Sequence, residues 1–351
     1  RYRYALGGNA KFFSELRQLS ADLVASNLGL RSSNFATPPP VLVNYHENKN
    51  ISLVYNNYWD NVLRGDALEL SYNYRNDWNK SRNQRQSEFY AVGNVPNKFI
   101  DVLSTSSNTQ STHNARSRLK ITSLKHLAIT WNNTITLTES ENRNRQNESI
   151  IWDGMSPMSK DEEIGKDANS WNIAETVVLT PLSGEKRPLF TTLLDFVIGK
   201  SGNDSWNVDT LSTSCLRRNL VKESDSRNLS YGLTLRKVIK YGSNNQLGLE
   251  YSFKYNRSSN EQMAFDLDTD GNINPNIFNT FDYTHSVYSS ALSAESTIFK
   301  RKKMFVRAKV TPTVKWINNL EKNPDIQIKR TYISLMPDIF VNYNDWSILH
   351  Y

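Results

Sequence analysis

QLGLEYSFKY, residues 246–255, changes character at every step. Leu247, Leu249, Tyr251, Phe253 and Tyr255 stand against Gln246, Gly248, Glu250, Ser252 and Lys254. Successive side chains of an extended chain point to opposite faces, so this stretch is a strand with one apolar face and one openly charged face. The same period recurs on either side of it. Upstream, Leu229, Tyr231, Leu233 and Leu235 alternate with Ser230, Gly232, Thr234 and Arg236; downstream, Val306, Ala308, Val310, Val314 and Trp316 oppose Arg307, Lys309, Thr311, Thr313 and Lys315. Leu68, Leu70, Tyr72 and Tyr74 form another such row, as do Leu127, Ile129, Trp131, Ile135 and Leu137.

The alternation predicts about twelve strands. They begin near Lys49, Leu68, Ala115, Leu127, Trp171, Leu189, Asn228, Gln246, Thr284, Met304, Lys329 and Ser347. Short links fall around Ser123, Gly184, Gly242, Arg301 and Asn344. Long polar stretches separate the pairs: Lys80 to Asn114, Glu141 to Ser170, Gly202 to Arg227 and Ser258 to Asp282. Short turns at one end and long loops at the other are the habit of a transmembrane barrel. Residues 1–48 are less regular. Phe12, Leu16, Leu19 and Leu23 recur at helical spacing and Pro38, Pro39 and Pro40 break any element, so this lead-in reads as irregular, as a short helix or as early barrel strands. Residues 49–351 form one barrel segment.

Composition narrows the alternatives. Mean hydropathy is −0.60 and 38% of residues are hydrophobic. No apolar run approaches the ~18 residues of a membrane helix, which excludes a helical membrane protein but not a barrel, whose apolar residues come one in two. Cys215 is the single cysteine, so no internal disulfide framework exists. The chain opens at Arg1 with no apolar export segment and ends on Tyr351, so it is read as a fragment of a longer protein. The net charge of +7 comes from bases interspersed with acids and asparagines. Its one tight basic run, Lys300 to Lys303, lies between two alternating segments, where a polar turn belongs; no nucleic-acid partner is expected.

A membrane strand needs about 9–11 residues, against about 5–6 for a globular one, and several segments here alternate for ten positions or more. Aromatics stand toward the ends of the apolar rows: Tyr251, Tyr255, Trp316 and Tyr343, as in the girdle of a barrel. NKNISLVYNNYWDN with ALELSYNYRNDWNKSRNQRQSEFY, between Asn48 and Phe89, resembles the large outer-membrane β-barrel family related to TonB-dependent receptors. HNARSRLKIT followed by LAITWNNTITL, LGLEYSFKYNRSSNE and KRTYISLMPDIFVNY carry the same texture, so the resemblance runs from about Val41 onward. It implies an incomplete, antiparallel transmembrane β-barrel in the outer membrane, engaged in receptor-like uptake or transport. It also implies outer-membrane lipid, an N-terminal plug and a periplasmic energy-coupling protein as partners. The rival is a soluble or cell-surface β-sheet binding module or adhesin, which requires strands of about six residues and a second sheet over each apolar row.

Chemistry-bearing motifs are sparse. His46, His113, His126, His285 and His350 are scattered, no serine sits in a G-x-S-x-G elbow, and no glycine-rich phosphate loop occurs, so no enzyme is indicated. Asp266, Asp268, Asp270 and Gly271 match the D-x-D-x-D-G opening of a calcium loop, with Ile273 and Asn274 at its eighth and ninth positions. Position twelve is Ile277 rather than the bidentate Glu, and Asp–Gly turns are common in polar loops, so any calcium site there is weak. No other cofactor is expected. Arg236, Glu250, Lys254, Glu295, Arg307, Lys309 and Lys315 fall on charged strand faces. In a barrel these face the lumen, against a plug or a solute, or they pair with one another across a hydrated wall.

Overall fold

The computed structural model describes residues 4–14, 16–26, 43–59, 66–90, 97–124, 126–153, 158–183, 188–211, 218–241, 245–267, 273–276, 280–301, 304–322 and 325–343. These form one antiparallel sheet of fourteen strands. In chain order they are β1 (Ala5–Phe13), β2 (Arg17–Ser26), β3 (Val43–Tyr58), β4 (Ala67–Phe89), β5 (Lys98–Ile121), β6 (Leu127–Trp152) and β7 (Met158–Pro181). The second half comprises β8 (Thr191–Leu211), β9 (Arg218–Tyr241), β10 (Asn245–Leu267), β11 (Ile273–Pro275), β12 (Phe281–Arg301), β13 (Met304–Lys322) and β14 (Asp325–Tyr343). Each strand pairs with its sequence neighbour, except that the three-residue β11 hangs on β10, which itself goes on to pair with β12. β1 and β14 stand at opposite edges and do not pair, so the sheet is open and not a closed barrel.

Two expectations are corrected. The polar stretches read as long loops are largely strand. Strands begin where the alternation begins on the short-turn side, at Ala67, Leu127, Thr191, Asn245 and Met304. On the other side they begin well before it, at Lys98 rather than Ala115, Met158 rather than Trp171 and Arg218 rather than Asn228. The reason is physical: backbone pairing persists where both faces are solvated, whereas hydrophobic alternation needs one face out of water. The second correction concerns the helical spacing of Phe12, Leu16, Leu19 and Leu23. Phe12 pairs with Leu19 across the β1–β2 hairpin and Leu23 pairs with Gly8, so the spacing of Phe12 and Leu19 reflects a turn between strands. The segment Ser347 to Tyr351 lies outside the described residues.

No second layer covers the sheet among the described residues. The buried apolar side chains reduce to Ala67, Tyr255 and Ala264.

Candidate functional site

Register alone sorts the side chains into two faces, because directly paired residues of neighbouring strands share a side. One row runs Leu68, Leu119, Trp131, Val177, Leu194, Leu233, Phe253, Ser290, Val314 and Ile333, crossing ten strands from β4 to β14. Above and below it the same face carries further apolar residues. They run from Leu127 to Leu137 on β6, Leu229 to Ile239 on β9, Leu247 to Tyr255 on β10 and Val306 to Trp316 on β13. The result is an apolar band about ten residues tall, the height of a membrane-crossing strand, broken by Asn133 on β6, Glu175 on β7 and Lys237 on β9. Its side chains are uncovered; Ile333 on the edge strand is 80% exposed.

The band slants against the register. Its turn-side limit is Leu68 in β4 and Val341 in β14, yet the row through Leu68 arrives at Ile333, eight residues short of Val341. Its upper limit moves the same way, from Trp171 in β7 to Ile333 in β14. Near that upper limit, five consecutive strands of the sheet path place an aromatic in a single register line: Phe196, Tyr231, Tyr255, Tyr288 and Trp316. The Tyr231 and Tyr255 rings lie 4.9 Å apart and those of Tyr255 and Tyr288 4.5 Å, which is why Tyr255 is only 8% exposed in a one-layer sheet. The same line is polar farther back, at Ser117, Asn133 and Glu175, where Asn133 Nδ2 donates to Glu175 Oε1 at 3.0 Å.

Beyond the band, this face turns charged. Glu139, Glu141, Arg143, Asp167, Lys200, Asp204 and Asp225 surround a cavity of about 500 Å³. The Arg143 guanidinium donates to both Asp167 carboxylate oxygens, at 2.6 and 2.9 Å, and lies 3.2 Å from Glu141. Its hydrogen bonds hold the Asp167 carboxyl below the usual carboxylate range against the opposing effect of desolvation. Arg143 also stacks over the Trp206 ring at 4.2 Å. That ring lies flat across Gly165, where a Cβ would come 2.0 Å from it. Sequence reading missed this belt because it placed Glu141, Arg143, Asp167, Asp204 and Asp225 in loops, where no apolar alternation marks a strand.

The opposite face is polar over most of the sheet, with Ile326, Ile328, Met336 and Phe340 as an apolar exception on the edge strand β14. Arg236, Glu250, Lys254, Glu295, Arg307, Lys309 and Lys315 all lie on it by register, with Arg236 opposite Glu250 and Glu295 opposite Lys309. Arg307 Nη1 donates to Glu295 Oε1 at 3.2 Å and its guanidinium sits 5.3 Å from the Phe340 ring centre. These seven do not converge into one pocket. A cavity of about 510 Å³ on this face lies instead on β3 to β5. Arg75, Asp77 and Arg116 line it with Ser52, Asn73, Gln110, Thr112 and Asn114. Arg75 and Asp77 form an ion pair of 2.5 Å.

At the turn end, Asp66 ties the chain entering β4 to the β5–β6 turn. It accepts from the backbone N–H groups of Thr122 (2.5 Å) and Ser123 (2.9 Å) and from both hydroxyls. Burial pushes the Asp66 carboxyl up, but these four donors outweigh it and hold it below the usual range.

Of the calcium candidates, Asp266 closes β10 and accepts a 2.8 Å hydrogen bond from Asn276 Nδ2. Asp268 and Asp270 lie outside the described residues, and among the described residues no group of three metal-ligating side chains converges. Leu247 pairs with Ser296 and Gln262 with Phe281, so the Asp266 end of β10 and the β12–β13 turn stand at opposite ends of the sheet. No family model matches the chain, and neither a curated protein nor a solved structure shows detectable similarity to it.

Proposed function

We propose that this chain is the wall of an outer-membrane β-barrel with receptor-like uptake or transport of a solute as its role. The apolar band faces lipid and the polar face lines the lumen. The observation that carries the reading is the band: a water-exposed apolar patch on a monomer seldom exceeds a few hundred Å², and this one crosses ten strands uncovered. A bilayer satisfies such a face. Lipid on one side and a hydrated lumen on the other is the environment in which period-two alternation is favourable on every strand. A slippage of about one residue per strand, with a rise of ~3.3 Å and a spacing of ~4.8 Å, inclines the strands by roughly 30–35° to the band. That is close to the ~35–45° tilt of membrane barrels. The aromatic line suits the lipid–water boundary, and the charged belt above it suits the aqueous side.

The strands are 19 to 26 residues long from β4 to β14, apart from β11, about twice what the bilayer takes. The surplus projects as a paired, two-sided polar skirt on the side of the β10–β12 link, proposed to face the outside, with the short turns in the periplasm. A plug and a periplasmic energy-coupling protein belong to the proposal through the family resemblance.

The test uses the full chain with Cys215→Ser, reconstituted in phosphatidylcholine vesicles containing brominated acyl chains. Single cysteines at Leu233, Leu249 and Val310 carry a fluorophore, and matched ones stand at Thr234, Ser252 and Thr313. Bromine quenching at the first three and none at the others is the expected result. Equal response from both sets overturns the membrane assignment.

A further inference from the structure

Where the apolar band ends on β8, β9 and β10, three cations gather over an apolar floor. Lys200 and Arg227 are register partners, and Arg257 pairs with Leu229 one row nearer the band, so all three share the band's face. With Trp171, Ile198, Leu229 and Ser259 they line a cavity of about 440 Å³ whose lining contains no carboxylate. Asp225 is ion-paired with two of them, 2.9 Å from Lys200 Nζ and 3.9 Å from Arg227, and Arg257 makes no ion pair among the described residues. Glu261, the register partner of Asp225, shares this face one row beyond Ser259, so three cations against two carboxylates leave the site net positive by one charge. It lies at the height where a bilayer changes from acyl chains to headgroups.

We infer that this groove binds a phosphate-bearing lipid, its headgroup held by Lys200, Arg227 and Arg257 and its acyl chain lying on Ile198, Leu229 and the band below. The inference rests on the membrane reading and adds a specific ligand to it. Charge complementarity selects the headgroup: guanidinium forks match phosphate oxygens in geometry and charge. Continuity of the groove with the apolar band selects a lipid over a free anion, because Trp171, Ile198 and Leu229 offer a phosphate ion nothing. Zwitterionic headgroups bring their own cation into the site and lose the advantage.

Native mass spectrometry of the full chain in neutral maltoside detergent tests this, titrating phosphatidic acid and phosphatidylcholine separately. Wild type is expected to retain phosphatidic acid with about thirtyfold preference, the gain expected of two arginines at a membrane surface. Arg227→Ala/Arg257→Ala is expected to lose the preference, while Arg227→Lys/Arg257→Lys retains most of it. Arg116→Ala/Arg118→Ala, on the opposite face, is expected to leave it intact. No preference in wild type, an unchanged preference in the alanine pair, or equal loss in the opposite-face pair overturns the site. Displacement of the lipid by millimolar inorganic phosphate overturns the lipid and leaves a free-anion site. Failure of the chain to enter phosphatidylcholine vesicles at all overturns the membrane reading and this inference together. Entry without headgroup preference removes the inference alone.

Discussion

Single residues matter here mainly where the one-layer sheet has to fix itself without a core. Asp66 is one such place, holding two neighbouring turns through four donors. Its carboxyl is depressed in the folded chain, so its contribution to stability is fully present above its unfolded value near 4 and is lost as pH falls through the lower folded value. The expected outcome is that Asp66→Asn lowers stability at pH 7 and flattens the stability loss between pH 5 and pH 2.5, read by denaturant titration in detergent. An unchanged acid limb would show that Asp66 is not the group responsible. Trp206 is a second place. It covers Gly165, whose missing side chain would otherwise leave a gap in the ladder, and Arg143 locks it from above. Gly165→Ala collides with the indole and should cost about 1–3 kcal/mol as an overpacking change. Combined with Trp206→Ala, the cost should fall below the sum of the two single costs. Strict additivity in that cycle would remove the contact from the account.

At the level of the strand, one face and one environment go together. Leu249 lies in the apolar band and Ser252 on the polar face of the same strand, β10. An arginine facing lipid near the bilayer midplane costs about 2–4 kcal/mol, whereas one facing a hydrated lumen costs little. Leu249→Arg should therefore impair assembly into vesicles by that margin while Ser252→Arg assembles nearly as wild type, measured as the fraction folded against urea. Equal behaviour would mean that neither face of β10 meets lipid. How far each strand was legible in the sequence follows from the same logic. Leu247 to Tyr255 or Leu127 to Leu137 announced themselves because one side is apolar and the other polar. Lys80 to Asn114 did not, because serine, threonine and asparagine on both faces carry no phase. The seven charged residues from Arg236 to Lys315 were assignable to one face from period alone. The Arg143–Asp167–Trp206 cluster was not, since its members lie far apart in sequence and meet only through the register of three strands.

The whole molecule is governed by its edges. Between them, twelve strand-to-strand ladders satisfy the backbone, but among the described residues β1 and β14 each leave one row of N–H and C=O groups without a strand beyond it. In hydrocarbon each such group costs several kcal/mol, and in water a long edge is a template for association. The purified chain is accordingly expected to elute from size exclusion in detergent as oligomers or aggregates, joined edge to edge. A monodisperse, heat-stable monomer that conducts ions in planar bilayers would contradict this. What the sequence by itself determined is the period: which residues share a side, that one side is apolar for about ten positions, and that consecutive strands are antiparallel. Those are properties of a single extended chain and its nearest neighbour, set by pleat and hydrophobicity. Tertiary structure alone decided three things: that the polar stretches continue as strand, that the apolar rows join into one slanting band, and that the sheet stays open. Each depends on register summed over many strands, where backbone hydrogen bonds, blind to side-chain identity, choose the pairing.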